Sequence, residues 1–227
     1  MLSRRSGDVG VAIATRRMMG RMAPSNQNLG EQVALDFLAR RSLRGERFTD
    51  EEMSQGKTPD FRVFNGDTFV FYCESKHVQH DDWLDNQLAQ APPMTLVGGV
   101  RRDPIYNRLS THIHTAAKQF EAVNPSREYP NVLVFTSSDR HCKVGDLVSV
   151  LTGNFYAESG LIEPMFKQYS EGRIREEKHT IDLYVWHNDW PDAKHAEQFF
   201  WTEGSPHYAT LCVLFGSDPA KQKRFAL

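Results

Sequence analysis

PDFRVFNGDTFVFYCESK, residues Pro59 to Lys76, is the stretch on which the fold turns. Val63-Phe64 and Thr68 to Cys73 are rich in β-branched and aromatic residues, and the Asn65-Gly66-Asp67 turn between them is a strong hairpin signal. Register decides what the hairpin presents. A three-residue loop, Asn65 to Asp67, sets Phe64 against Thr68 and Asp60 against Tyr72. Asp60 then shares a sheet face with Glu74 and Lys76, because directly paired residues point the same way and side chains alternate with period 2. A two-residue loop turns Asp60 to the other face unless a bulge restores the register. Two carboxylates and a lysine on neighbouring strands suit one kind of chemistry. Asp and Glu are the hard oxygen ligands that Mg²⁺ or Mn²⁺ prefers. A surface hairpin whose outer face carries charges is the plainer reading.

Upstream, Asn28-Leu29-Gly30-Glu31 reads as a helix N-terminus. Val33, Ala34, Phe37 and Leu38 form an apolar stripe, and the helix is expected to end around Ser42 to Gly45. Downstream, residues 81 to 90 read as a short helix or loop and Met94 to Val97 as a third strand. Pro104 opens a long helix striped by Ile105, Leu109, Ile113, Ala116 and Phe120, with Gln119 beside the stripe. Asn131 to Thr136 is a near-continuous apolar run, expected to be a buried central strand. A helix near Val144 to Leu151 follows, with strands near Thr180 to Trp186, Glu197 to Trp201 and Tyr208 to Phe215.

From residue 28 to 137 the chain resembles the PD-(D/E)xK nuclease superfamily, carried by Pro59-Asp60, Glu74-Ser75-Lys76 and the Gly30-Glu31 helix start. The resemblance implies an α/β, restriction-endonuclease-like core in the order helix, three strands, helix, strand, with a mixed central sheet and C-terminal additions. It implies that Asp60 and Glu74, with the Ser75 carbonyl, hold Mg²⁺ or Mn²⁺, and that Glu31 reaches the same metal. Lys76 orients the attacking water or offsets phosphate charge, and Gln119 lies on the catalytic side. The implied function is metal-dependent hydrolysis of phosphodiesters by a DNA endonuclease, with DNA ahead of RNA as partner. Two other readings stay open: a catalytically inactive nucleic-acid-binding or assembly module of the same fold, and a hydrolase of small phosphorylated compounds. Glu31 can also serve simply to complement its helix dipole, and Gln119 to cap a partly buried surface.

Composition frames these expectations. The 227 residues suffice for one large domain, placed at 25–227, behind a flexible basic extension at 1–24 that carries Arg4, Arg5, Arg16, Arg17 and Arg21. That extension has some transit-peptide character but reads better as a mis-assigned start. No apolar run approaches the ~20 residues of a membrane span. Cys73, Cys142 and Cys212 are far apart and odd in number, which points to buried reduced thiols in a cytoplasmic protein. A net charge of −2 argues against a pure phosphate-tracking binder. Basic residues instead cluster at Arg40, Arg41, Arg44 and Arg47, at Arg101-Arg102, at Arg173, Arg175 and Lys178, and at Lys221 to Arg224. Each reads as solvated surface, and the first, leading into the Asp60 strand, is the best candidate for phosphate contact. His77-x-x-His80 and His141-Cys142 lack a second half for zinc. A homodimer is plausible only because C₂ dimers are common.

Overall fold

A computed structural model describes residues 26–98, 104–157, 159–164, 174, 176–190, 197–202 and 204–221. The expected extension at 1–24, Arg101-Arg102, Arg173 and Arg175 lie outside them. The order is α1 (Asn26–Ala39), β1 (Leu43–Arg47), α2 (Asp50–Gln55), β2 (Phe61–Asn65), β3 (Thr68–Val78), α3 (Trp83–Gln90), α4 (Ile105–Val123) and β4 (Asn131–Ser137). There follow α5 (Val144–Thr152), β5 (Asn154–Tyr156), β6 (Ile162–Pro164), β7 (Leu183–Asn188), β8 (Gln198–Trp201) and α6 (Tyr208–Leu214).

A mixed six-stranded sheet, in the order β1-β2-β3-β4-β7-β8, forms the centre. β3, β4 and β7 run parallel, and both flanks are antiparallel. All seven residues of β4 are buried, as its apolar run requires of a strand covered on both faces. Ala34, Phe37 and Leu38 of α1 pack with α6 on the face carrying Phe61, Phe71, Cys73 and Val132. Leu109, Ile113, Ala116 and Phe120 of α4 pack with α5 on the opposite face, against Leu133, Phe135 and Tyr184. α1 comes unusually close to β3. A Cβ on Gly30 would stand 3.2 Å from the Cβ of His77, so glycine is what lets the helix seat there. All three cysteines are buried.

Several elements differ from expectation. α1 stops at Ala39, and the segment after it, expected as helix end and loop, pairs as edge strand β1. Met94 to Val97 is not a strand: Met94 takes a φ of 67° and Leu96 is fully exposed, so the segment pairs with nothing. Three strands still separate α1 from α4, but the third is β1 and it precedes the Asp60 strand. The segment expected as a strand over Tyr208 to Phe215 instead forms helix α6, Tyr208–Leu214. Its buried residues Tyr208, Leu211 and Cys212 fall at helical spacing, which outweighs the local β propensity. Lys178, expected on the solvated surface, is buried and donates to the Leu151 carbonyl at 3.0 Å. Among the described residues no helix is long and apolar enough to cross a membrane.

Candidate active site

The β2–β3 hairpin sets the site's geometry. Asn65 pairs with Thr68, so the loop is the two-residue Gly66-Asp67, with Gly66 at a φ of 59°, and not the expected three-residue loop. That turn alone would direct Asp60 to the wrong face. A register shift between Val63 and Phe64 restores it: Phe64 pairs with Phe69, whereas Val63 pairs with Phe71, leaving Val70 as the extra residue of a bulge. The ladder then runs Arg62 with Tyr72 and Phe61 with Cys73. Asp60 thus arrives beside Glu74, not Tyr72.

Here the strands part and polar side chains fill the opening. The Asp60 N–H donates to Glu74 Oε2 at 2.9 Å. Asp60 Oδ2 accepts from the Ser75 N–H at 2.8 Å and from Ser75 Oγ at 2.6 Å. A strand residue sends its N–H and C=O to the same edge. The Ser75 carbonyl therefore leaves toward Asp60, beyond Phe61, the last β2 residue in the ladder. Lys76 Nζ donates to Glu74 Oε1 and, at 3.2 Å, to Gln119 Oε1. Gln119 Nε2 donates to the Thr58 carbonyl at 2.8 Å, which ties α4 to the segment leading into Asp60.

Burial makes this cluster electrostatically costly. The side chains of Glu74 and Lys76 are only 2% and 15% exposed. Burial first, and the neighbouring Asp60 charge second, push the Glu74 carboxyl from its ordinary 4.5 up to about 7, against the pull of Lys76. One lysine does not compensate two adjoining carboxylates in so dry a place. The donor set consists of hard oxygens, two carboxylates and a backbone carbonyl, and it is short of positive charge. Both properties fit a small divalent cation.

Asp60, Glu74, Ser75, Lys76 and Gln119 are thus brought together. Glu31 is not joined to them by a hydrogen bond among the described residues, and its carboxylate pairs with Arg47 of β1. His77 meets Ser138, with 2.8 Å between Nε2 and Oγ, and His114 meets Glu177. Among the described residues, His80, Asp82 and Asp85 form a group whose spacing could hold a metal ion; it is mostly exposed and had no signal in the histidine spacing. Thr58 was also missed; it contributes through its backbone, which side-chain identity does not report. Comparison with protein-family models, with curated proteins and with solved structures yields no match to this chain.

Proposed function

We propose that the protein is a metal-dependent nuclease of the PD-(D/E)xK type, built on a restriction-endonuclease-like core, that hydrolyses phosphodiester bonds in DNA. The observation that carries this reading is the pairing of Asp60 with a buried Glu74 whose proton affinity is raised, at an opening that also holds Lys76 and a backbone carbonyl. Two adjacent carboxylates, one of them buried, serve no phosphate-binding surface unless a cation joins them, which weighs against an inactive binding module.

Asp60, Glu74 and the Ser75 carbonyl would hold the ion. A bound Mg²⁺ or Mn²⁺ supplies a water of lowered pKa and offsets charge on the scissile phosphate. Lys76 would orient the attacking water or steady the charge that develops on phosphate, and Gln119 accepts from the lysine and so helps set its direction. A free lysine, with a pKa of about 10.4, is a poor base at neutral pH, so positioning is the better assignment. The test is nicking of supercoiled plasmid with Mg²⁺, Mn²⁺ or EDTA, comparing the wild type with Asp60→Ala. Cleavage that needs the cation and disappears in the variant supports the reading. Equal activity of the two proteins sinks it.

A further inference from the structure

A second cluster of metal-ligating side chains lies past the end of β3 and shares no residue with the carboxylate pair. β3 carries the chain four residues beyond Glu74 to Val78, a rise of about 13 Å, and His80 follows. The Ser138 N–H donates to the Val78 carbonyl at 2.9 Å, which sets the end of β3 beside the residue before Asp139. His80 thus stands at the carboxyl ends of two parallel strands, where open α/β sheets place their ligands. Its Nε2 lies 2.7 Å from Asp85 Oδ2 and 3.6 Å from Asp82 Oδ1. Those spans bracket the ~3.3 Å between neighbouring ligands on a tetrahedral zinc ion. One ligand atom from each of the three residues lies within 4.8 Å of the others.

Three features of the surroundings point to an ion. Asp82 is the N-cap of α3, yet its side chain makes no capping hydrogen bond. Asp81 Oδ1 accepts from the Trp83 N–H at 3.0 Å, and the Asp82 carboxylate faces the imidazole instead. His80 Nδ1 is buried without a hydrogen-bond partner, and the buried Asp139 sets Oδ1 3.9 Å from it. Asp139 is held in place by the His141 N–H at 2.9 Å and by Arg108 at 3.5 Å. An imidazole that ligates through one nitrogen keeps its proton on the other, aimed at a carboxylate, and this ring is set in that way. Finally, none of the eight residues of α3 is buried, and so short a helix is marginal without an anchor.

We propose that His80 Nε2, Asp82 and Asp85 hold a Zn²⁺ ion that anchors α3 to the end of the sheet. The inference goes beyond the nuclease reading and uses none of its residues. One imidazole nitrogen with two carboxylates suits zinc, whereas Mg²⁺ keeps to oxygen ligands. Asp82 and Asp85 are 74% and 66% exposed, so the fourth position opens to water. The neutral His80 ring gives the Nε2 lone pair to the ion and carries its single proton on Nδ1, toward Asp139. Without the ion, the same proton on Nε2 serves Asp85 and leaves the buried Nδ1 unsatisfied.

The test titrates Zn²⁺ into the full chain, reading affinity by calorimetry and amide hydrogen exchange across residues 83–90. Asp60→Ala is the reference, because it disables the carboxylate pair and leaves this cluster intact. The reference should bind one Zn²⁺, and exchange in α3 should slow at least ~10-fold when it does. In that background His80→Gln and Asp85→Asn should each weaken Zn²⁺ at least ~100-fold and abolish the slowing. Asp139→Asn, which meets only the far side of the ring, should weaken it about 10- to 100-fold. Asp82 and Asp85 are exposed, so their variants should keep the fold, as circular dichroism will show. A reference that binds no Zn²⁺ overturns the site. So does an affinity that stays within about twofold in both Asp82→Asn and Asp85→Asn, since even an outer-shell change costs more than that. Zn²⁺ held by these residues with α3 exchange unchanged overturns the anchoring role. Failure of the nuclease reading shows separately, as a wild type that cuts no plasmid with Mg²⁺ or Mn²⁺, and leaves every one of these outcomes as it is.

Discussion

Replacing Glu74 with glutamine should stabilise the metal-free protein at alkaline pH while destroying its site. The carboxyl is pushed up to about 7 from 4.5. Between those values the folded protein retains a proton that the unfolded chain has lost, so stability falls as pH rises through this window. At about 1.4 kcal/mol per pH unit, the full loss above pH 7 is about 3 kcal/mol. Glutamine does not titrate and has nearly the same shape. Its amide oxygen cannot serve both the Asp60 N–H and Lys76 Nζ as a carboxylate does, a loss of about 1 kcal/mol. Urea denaturation in EDTA should therefore find Glu74→Gln about 2 kcal/mol more stable than wild type at pH 8. Near pH 4.5 it should be equal or slightly weaker. Adding Mn²⁺ at 100 times its Kd should raise the wild type by about 2.7 kcal/mol and leave the variant unmoved, closing or reversing the gap. A variant less stable than wild type at pH 8, with a parallel pH dependence, would refute the reasoning. It would mean that the Lys76 ion pair fully compensates Glu74 and that the carboxylate is not held short of positive charge.

Lys76→Ala should bind Mn²⁺ at least as well as wild type, because a neighbouring cation is removed, yet cleave at least ~100-fold more slowly; near-normal cleavage in a plasmid assay would remove the lysine from the mechanism. Mn²⁺ affinity should fall as pH drops below about 7, since Glu74 must lose its proton to bind. Calorimetry at pH 6 in buffers of different ionisation enthalpy should accordingly detect release of about one proton per ion. Gln119→Leu leaves Lys76 held by Glu74 alone and removes the donor to the Thr58 carbonyl, and should lower kcat by about tenfold while Mn²⁺ affinity stays within about twofold, as expected of a residue that only positions another.

Which side chains would gather was more legible than the geometry that gathers them. Glu74 and Lys76 announce their shared face by spacing alone, and Gln119 lies where the apolar stripe of α4 meets a polar border, so the site cluster could be read from identities and periods. The bulge at Val70 could not. It has no residue signature, and the expected three-residue loop placed Asp60 on the correct face with the wrong neighbour. β1 was hidden because Leu43-Arg44-Gly45-Glu46-Arg47 is mostly charged, as edge strands often are, and such a segment looks like a loop. Tyr208 to Leu214 misled in the opposite direction: its β-branched and aromatic content suggested a strand, although its buried positions recur with a helical period. The exposed Met94 and Leu96 show that an apolar run with no adjoining strand edge has nothing to pair with.

The bulged hairpin makes residue count decide whether the two carboxylates meet. Asp60 and Glu74 are separated by 14 positions, and their meeting depends on that interval together with the type of turn. Inserting or deleting a single residue between them, even at the distant loop, would rotate Asp60 to the opposite side of the sheet with every functional side chain still present. A paired change, one residue on each strand, would only lengthen or shorten the ribbon. Kinship among such proteins should therefore be visible in parity: whether the hairpin arms match or differ by one, and whether the turn compensates, more than in which residues occupy them.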